Sequence, residues 1–527
     1  MHNTAMQNRF NLIDEPWIPA IGKGLVSLAD IFSDPHIPAL GGNPVQKIAL
    51  TKLLLAIGQA ACTPESTEEL EQLAPETFRR ACRAYLEKWR DSFWLFGERP
   101  FLQMPAVRRL IEERKQTELK AAPAAPAKKK EAAQKKAEDD ALPRAIGTGF
   151  YPDLPAENNT ILSQFQMLET TDPAEMALFV VTLMNFAFGG KRIEKNLAPL
   201  THEFTGKSVS AKAGPSIGNY VGYLHSFLTG PTLTDTLLLN LLSREQIRDN
   251  PYWKSGLGKP PWEAMPEGEN CAAAVSLKES YMATLLSLSR FVLLDGEGIY
   301  YVEGLQYPSH KEGWREPGMT ISDQEKQPKV LWIDPDKRPW RELPSMLAFL
   351  ESGENKGFEC QFIRYGLTRA KRKHQQIGIW SGGLRVSANS GDQSVKQDND
   401  FVESLFLFNS EAIDKNWYDR FKQEMESLDQ LSKRVYSATR SYFDKQNMDG
   451  GDLASNASGL FWQLCERRFP ELVDACGEPD KLPAIRKAIN SLALQSYDAY
   501  CPKETARQID AWAECRPNFA KHFINNR

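Results

Sequence analysis

Apolar residues recur at helical spacing along much of this chain. From Pro44 to Cys62 they fall three and four positions apart, which predicts a helix. Helices are also predicted over 70–96 and 219–242. The segments 10–19 and 271–333 carry strand signals instead, which are closing prolines in the first and clustered aromatic and β-branched residues in the second. The part of the chain before residue 405 therefore mixes helices with strands.

One further predicted helix has a capping residue and a proline that mark its first turn. It is predicted over 173–188, where Asp172 fits the N-cap and Pro173 the first helical position. Glu175 lies in the first turn, and the double glycine at 189–190 ends the helix.

The pattern after about residue 405 is helical throughout. Apolar residues three and four positions apart run from Ile413 to Tyr442. The same style continues over 453–468, 482–500 and 506–523. Long amphipathic helices with short connections are typical of a bundle. The predicted fold class is α+β, with a large mixed α/β domain over 1–404 and a C-terminal four-helix bundle over 405–527.

A change of composition marks an insertion from about residue 115 to about 142. It contains alanines, prolines and lysine runs, but no aromatic residue. Such a segment buries too little apolar surface to offset its ordering entropy. We expect a disordered or partly helical surface tether, although its lysines have the charge to touch DNA.

Composition narrows the class of protein. The formal net charge is −4 and the pI is about 6.1, so any nucleic-acid contact must come from a local patch or from the other members of a complex. The eight cysteines are scattered without a C-x-x-C pair, which favours reduced thiols over a zinc site or a disulfide framework. No signal peptide and no membrane-length apolar run are recognisable, so we expect a soluble, cytoplasmic chain with no membrane partner.

The motifs of common enzymes are missing from the sequence. Neither H-E-x-x-H nor G-x-S-x-G occurs, and no metal-ligand spacing is visible. The triplet Gly206-Lys207-Ser208 resembles the end of a phosphate-binding loop, but Thr201 stands where that loop needs glycine. We therefore predict a chain that is not an enzyme and that uses no metal and no cofactor.

The stretch 380–393, Trp-Ser-Gly-Gly-Leu-Arg-Val-Ser-Ala-Asn-Ser-Gly-Asp-Gln, joins a double glycine to small polar residues. A basic approach precedes it, formed by Arg364, Arg369, Lys371, Arg372 and Lys373. Positive charge followed by a flexible tip fits close contact with a DNA backbone or base pair. A basic surface strand ending in a glycine-rich turn is the simpler alternative for the isolated stretch.

Three segments together resemble one family. Phe10–Pro19, Phe93–Gln103 and Trp380–Gln393 are similar to the large subunit (CasA type) of Cascade, the RNA-guided surveillance complex of type I-E CRISPR systems. The resemblance implies a mixed α/β N-terminal domain followed by a four-helix bundle, and no catalysis. It also implies four partners: the 5′ handle of the CRISPR RNA, double-stranded target DNA at the protospacer-adjacent motif (PAM), the other Cascade subunits, and a helicase-nuclease.

The resemblance also implies site residues. A hairpin that wedges into DNA beside the PAM would comprise Arg385, Val386, Ser387, Ala388 and Asn389. Loops close to the PAM would include Gly206, Lys207, Lys212, Gly214 and the motif-sensing candidate Lys311. A loop on the RNA handle and DNA would include Asn159, Leu162, Ser163 and Gln164. Some relatives bind zinc through paired cysteines, and this sequence lacks those pairs.

Two other functions compete with this one. A metal-dependent nuclease with dispersed ligands would cleave plasmid as an isolated chain. A helical scaffold without DNA readout would keep its partners and its target binding when residues 385–389 are changed.

Overall fold

The computed structural model describes residues 8–121, 143–147, 150–154, 172–190, 211–218, 221–296, 298–323, 326–352, 357–389, 392–395 and 400–518. The strands are β1 (Arg9–Asn11), β2 (Ile18–Ala20), β3 (Gly24–Val26), β4 (Trp94–Phe96), β5 (Arg144–Ala145), β6 (His225–Thr229), β7 (Arg290–Asp295), β8 (Gly298–Glu303), β9 (Thr320–Ser322), β10 (Lys329–Val330), β11 (Glu359–Cys360), β12 (Gln376–Leu384), β13 (Ser387–Asn389), β14 (Asp392–Ser394) and β15 (Phe401–Asn409). The helices are α1 (Leu28–Ser33), α2 (Pro44–Ala61), α3 (Thr67–Gln72), α4 (Pro75–Lys88), α5 (Ala106–Ala121), α6 (Pro173–Phe186), α7 (Leu233–Asn240), α8 (Arg244–Arg248), α9 (Ala272–Lys278), α10 (Tyr281–Leu285), α11 (Leu343–Met346), α12 (Phe349–Ser352), α13 (Gln361–Lys373), α14 (Lys415–Asp444), α15 (Gly451–Gly477), α16 (Leu482–Tyr500) and α17 (Ala506–Cys515).

Two central helices begin where their capping residues predict. Asn43 accepts a hydrogen bond from the Gln46 N–H at 3.0 Å and starts α2. Asp172 accepts one from the Ala174 N–H at 3.1 Å, which confirms the predicted N-cap of α6. Most residues of both helices are buried, so α2 and α6 pack against each other inside the molecule.

The sheet that positions the candidate site has the antiparallel order β15-β12-β6. In the middle strand, Trp380 pairs with Leu405 on one side and with Phe227 on the other. The predicted helix over 219–242 is wrong in its first half, where β6 lies, and correct only for α7. An apolar run of this length has no period that separates a buried strand from a buried helix.

The C-terminal helices start later than the sequence predicts. The predicted boundary at 404/405 falls inside β15, and α14 begins after Asp414, whose carboxylate accepts from the Trp417 N–H at 2.7 Å. α14 packs against α15, α16 and α17. The apolar core continues across the junction, since the Phe469 ring lies 4.6 Å from that of Trp340. The division into two domains stays a prediction.

The start of the predicted insertion is helical, because α5 extends to Ala121. The remaining part, 122–142, lies outside the described residues.

Candidate nucleic-acid interface

The double glycine that the sequence marks as part of a flexible tip lies inside a buried strand. Gly382 and Gly383 belong to β12, between β15 and β6. A Cβ on Gly382 would lie 2.7 Å from the carbonyl oxygen of Val402, and one on Gly383 would lie 2.8 Å from Ile333. The prediction of a flexible glycine tip is therefore wrong here, because both glycines are needed for close packing.

A hairpin follows directly after β12, where the family resemblance implies one. β13 and β14 pair antiparallel, with Ser387 opposite Ser394. Ser387 is half-buried, and the side chains of Ala388 and Asn389 lie outside the described part of the chain. The assignment of this hairpin as a DNA wedge stays a prediction.

Two of the predicted wedge residues lie at the base of the hairpin, and they differ in exposure to solvent. Arg385 is exposed, and its N–H donates to the Asp400 carbonyl at 2.9 Å. Val386 is fully buried, and its N–H donates to the Val221 carbonyl at 3.0 Å. Val386 was therefore wrongly included among the wedge residues, since its side chain belongs to the core.

Gln393 attaches the hairpin to the rest of the molecule. It lies on β14 and is only 4% exposed. Its side-chain oxygen accepts from the Gly189 N–H at 3.0 Å, and its side-chain nitrogen donates to the Gly218 carbonyl at 3.1 Å. The backbone N–H of Gln393 also donates to the Gly189 carbonyl at 3.1 Å.

Gly189 lies just before the segment 191–210, which includes predicted PAM-proximal loop residues. Gly190 and Ala211 exchange two backbone hydrogen bonds of 2.9 and 2.7 Å, so the chain leaves and returns at one point. The predicted PAM-proximal residues Gly206 and Lys207 lie in the intervening segment 191–210, outside the described residues. We call the pair of segments 187–190 and 211–218 the loop stem.

Gly214 occupies a position in the loop stem that excludes a side chain. A Cβ there would lie 2.5 Å from the Asn185 carbonyl oxygen. The Gly214 N–H donates to the Ala187 carbonyl at 2.6 Å, just beyond the end of α6. The structure therefore gives Gly214 a packing role at the end of a helix.

A buried ion pair contacts both segments of the loop stem. Arg290 and Glu303, on β7 and β8, are each 1% exposed and 3.6 Å apart. Arg290 donates to the carbonyls of Phe188 at 2.6 Å and Lys212 at 2.7 Å, and Glu303 accepts from the Lys212 N–H at 3.2 Å. Burial raises the pKa of Glu303, although the Arg290 guanidinium opposes that change.

A second buried ion pair contacts the loop stem at Ser216. Lys52 of α2 donates to Glu316 at 2.8 Å and to Ser216 at 2.9 Å. His225 lies 3.0 Å from the same carboxylate. Burial alone would raise the pKa of Glu316, but the Lys52 ammonium and the His225 hydrogen bond hold it at about 2. Fixed charges therefore anchor both ends of the described stem.

Two of the predicted PAM-proximal lysines share one surface. Lys212 is exposed on the stem, and Lys311 is exposed on the 3-10 turn His310–Glu312. Hydrogen bonds from Ser309 lower the pKa of Glu312, and the charge of Lys212 adds to that effect, so the turn and the stem are neighbours. The buried Tyr223 contacts His310 of the turn at 3.0 Å, and its ring also packs against Gly218 of the stem.

The basic approach is a helix rather than a strand, and its cations contact protein groups. Arg369 is 2% exposed and donates to the carbonyls of Leu239 at 2.7 Å and Leu241 at 2.8 Å. The other cations also bind protein: Arg364 pairs with Glu359, Arg372 pairs with Glu71, Lys371 donates to the Ile413 carbonyl, and Lys373 donates to the Leu73 carbonyl. The assignment of Arg369 to DNA is wrong, because its guanidinium holds the end of α7.

Sequence reasoning missed three residues outside the loop stem whose side chains bind it. Lys52 interrupts a long apolar helical run, and Arg290 is the first residue of an otherwise apolar strand segment, so each carried a visible signal of a buried charge. Gln393 carried no such signal. The predicted handle loop with Asn159, Leu162, Ser163 and Gln164 lies outside the described residues.

Within the described ranges, no group of three or more His, Cys, Asp and Glu side chains is arranged to hold a metal ion. All eight cysteines are free thiols. None of the described helices has the length and apolar character of a membrane span.

The family described as CRISPR-associated protein Cse1 matches residues 11–496. This chain belongs to the Cse1 family. A curated Cse1-family relative, the CRISPR-associated protein CasA/Cse1 of Thermus thermophilus, is 32% identical over 263 residues. That match covers 47% of this chain and 42% of the relative, so it spans less than half of that protein's length.

Solved Cse1 structures share the fold. Thermus thermophilus CasA (Cse1) superposes with a TM-score of 0.67 and 19% identity, covering 96% of this chain and 98% of that one. Thermobifida fusca Cse1 gives 0.65 and 16%, covering 97% and 94%. A chain of a CRISPR RNA-guided surveillance complex gives 0.66 and 15%, covering 96% and 98%. At these identities the likeness concerns the fold alone.

Proposed function

We propose that this Cse1-family chain is the non-catalytic large subunit of Cascade, and that it recognises the PAM in duplex DNA and starts strand separation. The observation that carries the proposal is the convergence of the hairpin, the loop stem and two exposed lysines. Gln393 joins the hairpin to the stem, while Lys212 and Lys311 lie on the neighbouring surface.

The loop stem and the hairpin suit the two proposed tasks, which are reading the PAM and separating the strands. The minor groove presents a degenerate pattern of acceptors, so a loop with a few small or polar groups is sufficient to read it loosely. Strand opening requires an element that enters the stack at a cost of a few kcal/mol per step. A two-stranded hairpin on a buried base supplies such an element, and base pairing with the guide RNA then extends the opening.

The remaining partners follow from the same role. In this proposal the segment with Asn159 and Gln164 contacts the 5′ handle of the CRISPR RNA, and other Cascade subunits hold the chain on that RNA. After strand separation, the chain offers a docking surface to the helicase-nuclease. The function places the protein in the cytoplasm.

The decisive experiment measures target binding by the reconstituted complex as a function of salt. Lys212→Ala and Lys311→Ala should each weaken binding and reduce the slope of log K against log salt by about 0.9, the value for one lost phosphate contact. Lys487→Ala, an exposed lysine on α16, is the matched control and should leave the slope unchanged. Equal slopes for all three variants would contradict the assignment of this surface, and metal-dependent cleavage without the helicase-nuclease would contradict the non-catalytic role.

A further inference from the structure

We propose that Gln393 is a positioning residue that couples motif reading to duplex opening, an inference that rests on the proposed function. It joins the hairpin to the loop stem, so the two elements hold one relative position. A change at the stem is then transmitted to the hairpin through hydrogen bonds.

The chemistry of the contact requires an amide. The Gly189 N–H needs an acceptor, and the Gly218 carbonyl needs a donor. A glutamine side chain supplies both at once, whereas glutamate has only acceptors and methionine provides neither to a useful degree. Because Gln393 is 4% exposed, water cannot readily replace a lost partner.

The stem on the other side of this contact is rigid. Phe188, next to Gly189, accepts from the buried Arg290, and Gly190 is paired with Ala211. The second contact is equally constrained, because Gly218 has a φ of +71° and a Cβ there would lie 2.6 Å from the Tyr223 ring. Both partners of the amide are therefore fixed, and the hairpin takes its position from them.

Coupling of this kind is measured with a double-mutant cycle in the assembled complex. A library of targets with randomised flanks first identifies the motif. One side of the cycle then changes the motif in a fully paired target, and the other replaces Ser387, Ala388 and Asn389 with glycine. The coupling is the factor by which the effect of one change on affinity depends on the other.

We expect a coupling of about tenfold in the wild-type complex, within the range for groups in direct contact. In the Gln393→Met background the coupling should fall to about twofold or less, because the isosteric side chain removes both side-chain bonds. Gln393→Glu keeps the acceptor for Gly189 and should retain part of the coupling. Gln376→Met, at an exposed position at the start of β12, is the matched control and should retain all of it.

The outcomes separate the two proposals. Full coupling in Gln393→Met would overturn the role of Gln393 and leave the proposed function intact. If the wild-type complex responds to neither the motif nor the hairpin glycines, the proposed function fails. If the Gln393→Met complex does not assemble, Gln393→Glu takes its place in the cycle. Unchanged coupling in a Gln393→Glu complex with a wild-type thermal midpoint would also overturn the inference.

Discussion

Replacing Lys52 with methionine should strongly destabilise the protein. The Lys52 ammonium lies 2.8 Å from Glu316, and their side chains are 3% and 1% exposed. At an effective dielectric constant of about 20, two unit charges at that distance attract by about 6 kcal/mol, part of which offsets their desolvation. Removing one partner leaves a buried carboxylate without its counter-charge, which costs about 3–5 kcal/mol.

The same helix provides a control. Lys47 of α2 pairs with Glu403, but their side chains are 21% and 34% exposed. Pairs open to solvent contribute at most about 1 kcal/mol, so Lys47→Met should have a much smaller effect. The double variant Lys52→Met/Glu316→Gln should be more stable than Lys52→Met alone, because the neutral amide no longer needs a cation.

Urea unfolding followed by tryptophan fluorescence measures these differences as shifts of the transition midpoint. We expect the largest downward shift for Lys52→Met, partial recovery in the double variant, and a small shift for Lys47→Met. Equal shifts for the two lysine variants would refute the argument, since they would show that burial of the pair does not decide its contribution. Absence of recovery in the double variant would show that lost packing, and not an unpaired charge, accounts for the effect.

Three further predictions concern Glu316, Arg369 and the hairpin. The pKa of Glu316 is depressed from 4.5 to about 2 in the folded protein, so the stability that its ionised form contributes is present above pH 4.5 and lost as the pH falls through about 2. Glu316→Gln should flatten this part of the stability profile measured by urea titration. Arg369→Met should lower the free energy of unfolding by about 1–3 kcal/mol through its two lost carbonyl contacts, whereas the salt dependence of DNA binding should not change; a smaller salt slope would return this residue to the DNA surface. Replacing Ser387, Ala388 and Asn389 with glycine should weaken binding to a fully paired target but spare a target already mismatched beside the motif, and equal losses on both would show that the hairpin only contacts the backbone.

Local signals in the sequence were enough to locate several elements. The cap at Asp172 and the proline after it define the start of α6, because both act within one helical turn. The helix over 44–62 was equally visible from its spacing. The resemblance implies a hairpin at 385–389, and the antiparallel pair of β13 and β14 begins within that range at Ser387.

The errors arose where tertiary packing decides the role of a residue. A double glycine favours a turn when read locally, but Gly382 and Gly383 instead let a central strand approach its neighbours. The helix that carries the basic run, α13, has buried apolar positions at helical spacing, among them Phe362, Ile363 and Leu367. That spacing signals a helix with an inner face, and Arg369 lies on it.

In the proposed function, the protein contacts of the α13 cations bear on how an acidic chain would scan DNA. The net charge is −4 and Arg369 is buried, and the exposed cations of the described candidate surface include Arg385, Lys212 and Lys311. Three phosphate contacts would give a slope of log K against log salt of only about −2.7, so these contacts supply a small electrostatic part of the affinity. Weak contact suits a reader of a short motif, because the complex must leave the many sites that lack a match to its guide. In this proposal the protein therefore supplies position and opening, while base pairing with the guide supplies most of the lasting affinity.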